Sequence, residues 1–163
     1  MLNEVTIREP RTPDEYDALR RAFLAQFARS GVDPTFAGLH EEVADLPGLY
    51  APPAGALLLA VEADGGVLGA GAMRPLPGPG DCSLTGVVVT EDARGLGIGR
   101  RLTRALIAHA RAAGHRRMHL DTADRNPAAM ALWQDAGFVP APAYFPNPRP
   151  GSQHMVLDLT PQG

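Results

Sequence analysis

Four arginines, Arg94, Arg100, Arg101 and Arg104, crowd a loop in which glycine alternates with aliphatics, Gly95-Leu96-Gly97-Ile98-Gly99. Glycines at this spacing let a backbone turn successive N–H groups toward one point, and a helix starting at the loop's end adds the positive end of its dipole. The β-branched run Val87-Val88-Val89 precedes the loop, and Leu102, Ala105, Leu106, His109 and Ala113 follow it at helical spacing. Strand, glycine loop and helix in this order make a cradle for phosphate.

Two nucleotide motifs do not fit the cradle. A dinucleotide fingerprint needs Gly-x-Gly-x-x-Gly, but counted from Gly95 the last position is Arg100, and from Gly97 it is Leu102. A triphosphate loop ends in Gly-Lys-Ser/Thr, whereas Gly99 is followed by Arg100-Arg101. Other residue types able to move protons are scattered. Cys82, His119 and His154 lie in or near strand-like segments, Glu41 and Glu42 in a helical one, and Glu91 and Asp92 in a turn that is given no catalytic role.

The elements that must position the cradle follow from punctuation and periodicity. Residues 5–8 read as a strand. Thr12-Pro13-Asp14-Glu15 starts a helix whose face carries Tyr16, Leu19, Phe23 and Phe27 and which stops at Gly31. Asp33-Pro34 starts a second helix, with Phe36, Leu39, Val43 and Leu46, running to Pro47. Residues 57–61 and 67–73 form an antiparallel hairpin around Ala63-Asp64-Gly65-Gly66. After a Pro/Gly loop over 75–81, residues 84–89 give the strand feeding the cradle. The helix beyond it ends at Gly114, and residues 118–121 form a strand parallel to 84–89 through a right-handed crossover. Asn126-Pro127 opens a helix bearing Met130, Trp133 and Ala136 and ending at Gly137, with Phe138-Val139 extended after it. Prolines at 140, 142, 146, 148 and 150 exclude a central strand there and stiffen a loop around Tyr144-Phe145, before a last strand over 155–159.

Composition bounds the rest. The 163 residues, 45% hydrophobic and 20% charged, suit one well-buried domain spanning 1–163. A net charge of −3 argues against a general nucleic-acid or membrane-surface binder, so the local basic cluster calls for a small anionic partner. The single cysteine, Cys82, excludes an internal disulfide, and Met-Leu-Asn-Glu-Val lacks a basic-then-apolar leader pattern; a reducing cytoplasm is the expected location.

Arg94-Gly95-Leu96-Gly97-Ile98-Gly99 resembles the Gln/Arg-x-x-Gly-x-Gly/Ala signature of the GCN5-related N-acetyltransferases, and Asn126-Pro127-Ala128-Ala129-Met130-Ala131-Leu132-Trp133-Gln134-Asp135-Ala136-Gly137-Phe138 resembles their Asn-x-x-Ala-x-x-Leu-Tyr-x-x-x-Gly-Phe helix. The element order is similar along essentially the whole chain. The resemblance implies an α/β (α+β) fold: a mixed, mostly antiparallel sheet with one parallel β-α-β pair that splays to hold coenzyme A, and helices on both faces. It implies acetyl-CoA as co-substrate, no metal, and an amine acceptor on a small molecule or protein. The pyrophosphate would lie on N–H groups of Gly95, Leu96, Gly97, Ile98, Gly99 and Arg100, with Arg94 shaping and charging the loop. The pantetheine arm would pair like an added strand with Val87, Val88 and Val89, through backbone groups of Val87 and Val89, and Asn126 would approach that arm. The position of the family's tyrosine acid is Trp133, whose indole N–H does not donate a proton at neutral pH. Tyr144 is the first substitute acid, and a thiolate also leaves unaided. A non-catalytic acyl-CoA-binding or regulatory domain is the alternative. Either a monomer or a homodimer fits.

Overall fold

A computed structural model describes residues 4–29, 44–122, 127–142 and 153–160. Strand β1 (Val5–Arg8) leads into helix α1 (Pro13–Arg29), and the start of that helix is fixed by side chains. Thr12 Oγ1 accepts from the Glu15 N–H at 3.1 Å, while the Glu15 carboxylate accepts from the Arg11 N–H at 2.7 Å and pairs with the Arg8 guanidinium. The Thr12 hydroxyl thus satisfies an orphan donor of the helix, and the Glu15 carboxylate ties the helix back to the strand and the turn before it. Its partners hold the Glu15 carboxyl at about 2, the Arg8 hydrogen bond contributing most.

Strands β2 (Ala56–Glu62), β3 (Val67–Pro75) and β4 (Asp81–Val89) continue the meander, all antiparallel. The β2–β3 turn closes with the Glu62 N–H on the Gly66 carbonyl, and Gly65 takes the φ of +93° that such a turn requires. Helix α2 (Ile98–Ala112) crosses to β5 (Arg117–Thr122), which lies parallel to β4. Helix α3 (Pro127–Ala136) and two more strands follow, β6 (Val139–Pro140) and β7 (Gln153–Asp158). The seven strands among the described residues are ordered β1-β2-β3-β4-β5-β7-β6, so β7 inserts between β5 and the short edge strand, where Pro140 is tolerated.

Alternation along each strand builds two cores. Leu57, Leu59 and Val61 face Leu19 and Phe23 of α1, while Ala56, Leu58 and Ala60 face Leu102 and Leu106 of α2 together with Trp133 of α3. Helices therefore cover both faces. Helix α2 lies close on β3 because Gly71 carries no side chain: a Cβ there would stand 2.8 Å from Leu106 Cδ1.

The strand predicted over 84–89 starts three residues earlier. A tight turn, with the Leu76 N–H on the Asp81 carbonyl at 2.9 Å, replaces the expected loop through residue 81. Asp81-Cys82-Ser83 holds one apolar residue between two polar ones, a pattern too brief to read as a strand without its neighbours β3 and β5. The second predicted helix, over 33–47, falls mostly outside the described residues; its described end is a turn leading into a 3-10 turn, Gly48–Tyr50. None of the helices among the described residues is long and apolar enough to cross a membrane.

Candidate active site

The two strands of the parallel pair stay together for only three residues. Asp81, Cys82 and Ser83 pair with Arg117, Met118 and His119, whereas β4 continues to Val89 and β5 continues in register with β7 as far as Thr122 opposite Gln153. Beyond Ser83, no strand among the described residues pairs with the β5-facing edge of β4. Which backbone groups face it follows from the β3 ladder. The Thr90 N–H donates to the Leu68 carbonyl, so the hydrogen-bonded partners alternate through Val88 opposite Ala70, and the N–H and C=O of Val87 and Val89 point away from β3 into the gap. Val88 is placed differently, its backbone turned to β3 and its side chain buried on the α1 side.

A bulge sets the angle of this edge. Register shifts between Ala72 and Met73, leaving Thr85 as the extra residue of β4. Thr85 and Gly86 consequently address the same face: Thr85 Oγ1 bonds the buried Tyr50 hydroxyl at 2.9 Å, and a Cβ on Gly86 would lie 3.1 Å from Phe23 Cε1.

At the far end of the open edge stands the glycine loop. Arg94 closes the 3-10 turn Glu91–Ala93, and Gly95 and Gly97 take φ of +81° and +80°, left-handed conformations that favour glycine. Gly97 is the N-cap of α2, and the Arg101 N–H is the first to find an intrahelical acceptor, the Gly97 carbonyl. Among the described residues, no acceptor meets the N–H groups of residues 95–100. Six successive donors at a helix N-terminus are the kind of array that suits an anion. Gly99 faces inward: a Cβ there would lie 3.6 Å from Leu132 Cδ2 of α3 and from Val89 Cγ2, ordinary contact that an alanine satisfies. The cradle and the open edge are thus contiguous.

The arginines divide by role. Arg94 is exposed, with its N–H held by Glu91. Arg100 pairs with Asp135 at 2.9 Å, both side chains more than half exposed, an interaction worth no more than about 1 kcal/mol. Arg101 donates to the Val5 carbonyl at 2.9 Å, bracing β1, and Arg104 is exposed. Trp133 is a core residue, edge-on to Phe138 at 6.2 Å, and its buried indole N–H meets no acceptor among the described residues. Tyr144, Asn126, Glu41 and Glu42 lie outside the described residues.

On the α1 side of the parting strands lies a cluster that sequence reading did not assemble. His119 Nδ1 and His154 Nε2 are 3.1 Å apart with the rings stacked at 5.3 Å, and His119 Nε2 is 3.6 Å from Asp81 Oδ1, which also receives Arg117 Nε at 3.0 Å. Burial pushes the His119 pKa down against the pull of Asp81, and burial followed by the His119 charge pushes His154 down to about 4. Both rings are neutral at pH 7. Cys82, beneath them in the opposite core, is pushed up to about 12 by burial and then by Asp81, so its thiol is not a nucleophile. Among the described residues no three His, Cys, Asp or Glu side chains are grouped to hold a metal.

The model of the acetyltransferase (GNAT) family matches residues 14–138. The chain belongs to this family. This acetyltransferase is 32% identical over 154 residues to an uncharacterized N-acetyltransferase of Schizosaccharomyces pombe, covering 94% of this chain and 93% of that one. It superposes on an acetyltransferase of the GNAT family from Staphylococcus aureus with a TM-score of 0.79 at 17% identity, covering 96% of this chain and all (100%) of the other. A chain of the NatC complex crystallised with Gag peptide and CoA gives 0.73 at 16% identity, over 96% and 99% of the two chains. At these identities the structural likeness concerns the fold: a mixed sheet with one parallel pair and helices on both faces.

Proposed function

We propose that this acetyltransferase uses acetyl-CoA to acetylate a primary amine of a small molecule or protein. The observation that carries the reading is the continuity of six acceptor-seeking N–H groups at residues 95–100 with a strand edge that presents the backbone of Val87 and Val89. A donor with a charged diphosphate and an amide-bearing arm is complementary to both, the arm adding to β4 as a strand would. Relatives point the same way, since the Schizosaccharomyces pombe protein is named an N-acetyltransferase and the NatC neighbour was crystallised with CoA. When bound, acetyl-CoA supplies the activated thioester; the chain supplies donors for the phosphates, an edge that aligns the arm, and a gap in the sheet through which the acceptor reaches it.

Thermal unfolding with and without acetyl-CoA tests the reading. Saturation at about 100 times the dissociation constant stabilises the native state by about 2.7 kcal/mol. Gly97→Glu, which places a carboxylate beside phosphate, is expected to abolish that shift in a folded protein. Release of CoA thiol over a panel of amines, amino acids and peptides then reports transfer. Trp133 at the tyrosine position favours a second reading, an acyl-CoA-binding domain without turnover, for which the same panel gives stabilisation but no thiol.

A further inference from the structure

Strand β1 and helix α2 run side by side in the same direction. Arg101 of the helix donates to the Val5 carbonyl, and Ala105 and His109 follow on the same helix face, beside Ile7 and the segment after Arg8. Four strand residues and eight helix residues both advance about 12–13 Å, so the two elements stay abreast. Arg101 bridges them at one end. At the other they border a cavity of about 390 Å³, whose apolar lining is Ile7, Leu58 and Ala105 and whose polar lining includes Glu9, Arg11 and His109.

The charges at this cavity divide into committed and free. Arg8 is committed, its guanidinium pairing with Glu15 and donating to the Glu9 carbonyl at 3.0 Å. The side chains of Glu9, Arg11 and His109 meet no hydrogen-bond or ion-pair partner among the described residues. Glu9 and Arg11 are exposed, with buried Pro10 between them, and their opposite charges do not pair. The strand adds backbone groups. Glu62 directs its N–H and C=O to the β2–β3 turn, so Glu62 opposite Val5 is a pair without β1–β2 hydrogen bonds, and by alternation Ile7 opposite Ala60 is another. The N–H and C=O of Ile7 therefore point outward from the edge of the sheet.

We propose that this cavity binds a free α-amino acid with an aliphatic side chain, its carboxylate on Arg11, its ammonium group on Glu9 and its side chain against Ile7, Leu58 and Ala105. An occupant with a single charge leaves either Glu9 or Arg11 unmatched, whereas a zwitterion meets both, and the outward Ile7 N–H and C=O offer a second donor and acceptor. A volume of about 390 Å³ lies at the small end of ligand sites, which run from about 300 to 1,000 Å³, and suits a single small molecule. The site is separate from the glycine loop: His109 lies eleven residues, about 16 Å, along α2 from Ile98. Bound there, the amino acid ties edge strand β1 to the second half of the helix whose first turn follows that loop. The assignment is independent of the transfer reaction.

Titration calorimetry and thermal unfolding of the full chain with L-leucine test the site, with 4-methylpentanoate and 3-methylbutylamine as probes that lack the amino and the carboxylate group. The expected result is saturable binding of L-leucine, binding of each analogue weaker by about tenfold or more, and a similar loss in Glu9→Gln and in Arg11→Gln. Both substitutions spare the backbone groups that Arg8 and Glu15 engage, so the start of α1 is retained. Ala105→Leu fills the cavity from the helix and is expected to abolish binding; if it does not fold, the two charge variants decide. Stabilisation by acetyl-CoA should be the same in all folded variants as in the wild type. No binding of L-leucine up to about 10 mM overturns the proposal, as does equal binding of the analogues. Binding that the variants leave unchanged also overturns it, since the amino acid is then held elsewhere, as an acceptor of the transferase would be. A loss of acetyl-CoA stabilisation in the folded variants overturns the separation of the two sites.

Discussion

Substituting alanine at Gly97 and at Gly99, two residues apart in one loop, should shift stability in opposite directions. Gly97 has φ of +80°, where a Cβ costs about 1–2 kcal/mol. The lower entropy of the unfolded alanine chain returns about 0.4–1 kcal/mol, leaving a net loss of about 0.5–1 kcal/mol. Gly99 is the second residue of α2, where alanine gains about 0.5–1 kcal/mol in helix propensity, and its Cβ would meet Leu132 and Val89 at an ordinary 3.6 Å. An unfolding entropy of about 2.1 cal/mol/K per residue gives about 0.34 kcal/mol/K for this chain, so each change moves Tm by about 1.5–3 °C. Calorimetry or circular dichroism of the two variants reads the difference directly. Repeating the melts with acetyl-CoA should show a smaller ligand shift for Gly97→Ala, whose loop N–H groups turn away from one another, and an unchanged shift for Gly99→Ala. A rise in Tm for Gly97→Ala, or shifts of the same sign, would refute the assigned backbone geometry.

Acid should weaken the fold through the histidine pair. Both folded pKa values are depressed, His154 to about 4, so the unfolded chain binds more protons between about pH 6.5 and 4. The associated stability is complete above pH 6.5 and is lost as pH falls through that window, by about 2–3 kcal/mol for His154, and denaturant midpoints at pH 7.5, 5.5 and 4.5 should fall less steeply in His154→Gln. Cys82 should resist alkylating reagents in the native protein up to pH 9 and react at once on unfolding, because it is buried and its pKa is pushed up to about 12; stoichiometric labelling of the folded chain would contradict its placement. Arg100→Gln should change stability by less than about 1 kcal/mol, since its pair with Asp135 is exposed, yet reduce the stabilisation given by acetyl-CoA; an unchanged ligand shift removes the Arg100 side chain from the site.

The glycine loop and the helix start that follows it were legible in the sequence because their determinants are local. Glycines at 95, 97 and 99 sit between a β-branched run and a helical pattern, and the structure shows two of them at positive φ with the third against α3. Helix stops at Gly114 and Gly137 were readable for the same reason, both having positive φ. What sequence could not supply was register. Asp81-Cys82-Ser83 becomes a strand because β3 pairs with Cys82 and Ser83 on one side and β5 with all three on the other, and His119 meets His154 only because the last strand inserts between β5 and β6. The bulge at Thr85 was likewise silent, since nothing in Leu84-Thr85-Gly86 distinguishes a bulged from a regular strand. Each of these depends on a partner distant in the chain.

The three residue pairs joining β4 to β5 also divide the molecule by order of synthesis. Strands β1 to β4 pair only with sequence neighbours, and α1 and α2 pack on them, so this part of the molecule is specified by residues up to 112. Since chains fold from the amino terminus as they emerge, the antiparallel meander with its two helices can be complete on the ribosome before β7 has been translated. The remaining strands then have a finished surface to join. Until they do, β4 is an exposed edge along its whole length, and the short polar segment Asp81-Cys82-Ser83 receives the incoming β5. Among the described residues, the same brief seam is the one backbone junction through which the later strands are attached to the finished meander, and the ladders of β7 with β5 and β6 close after it.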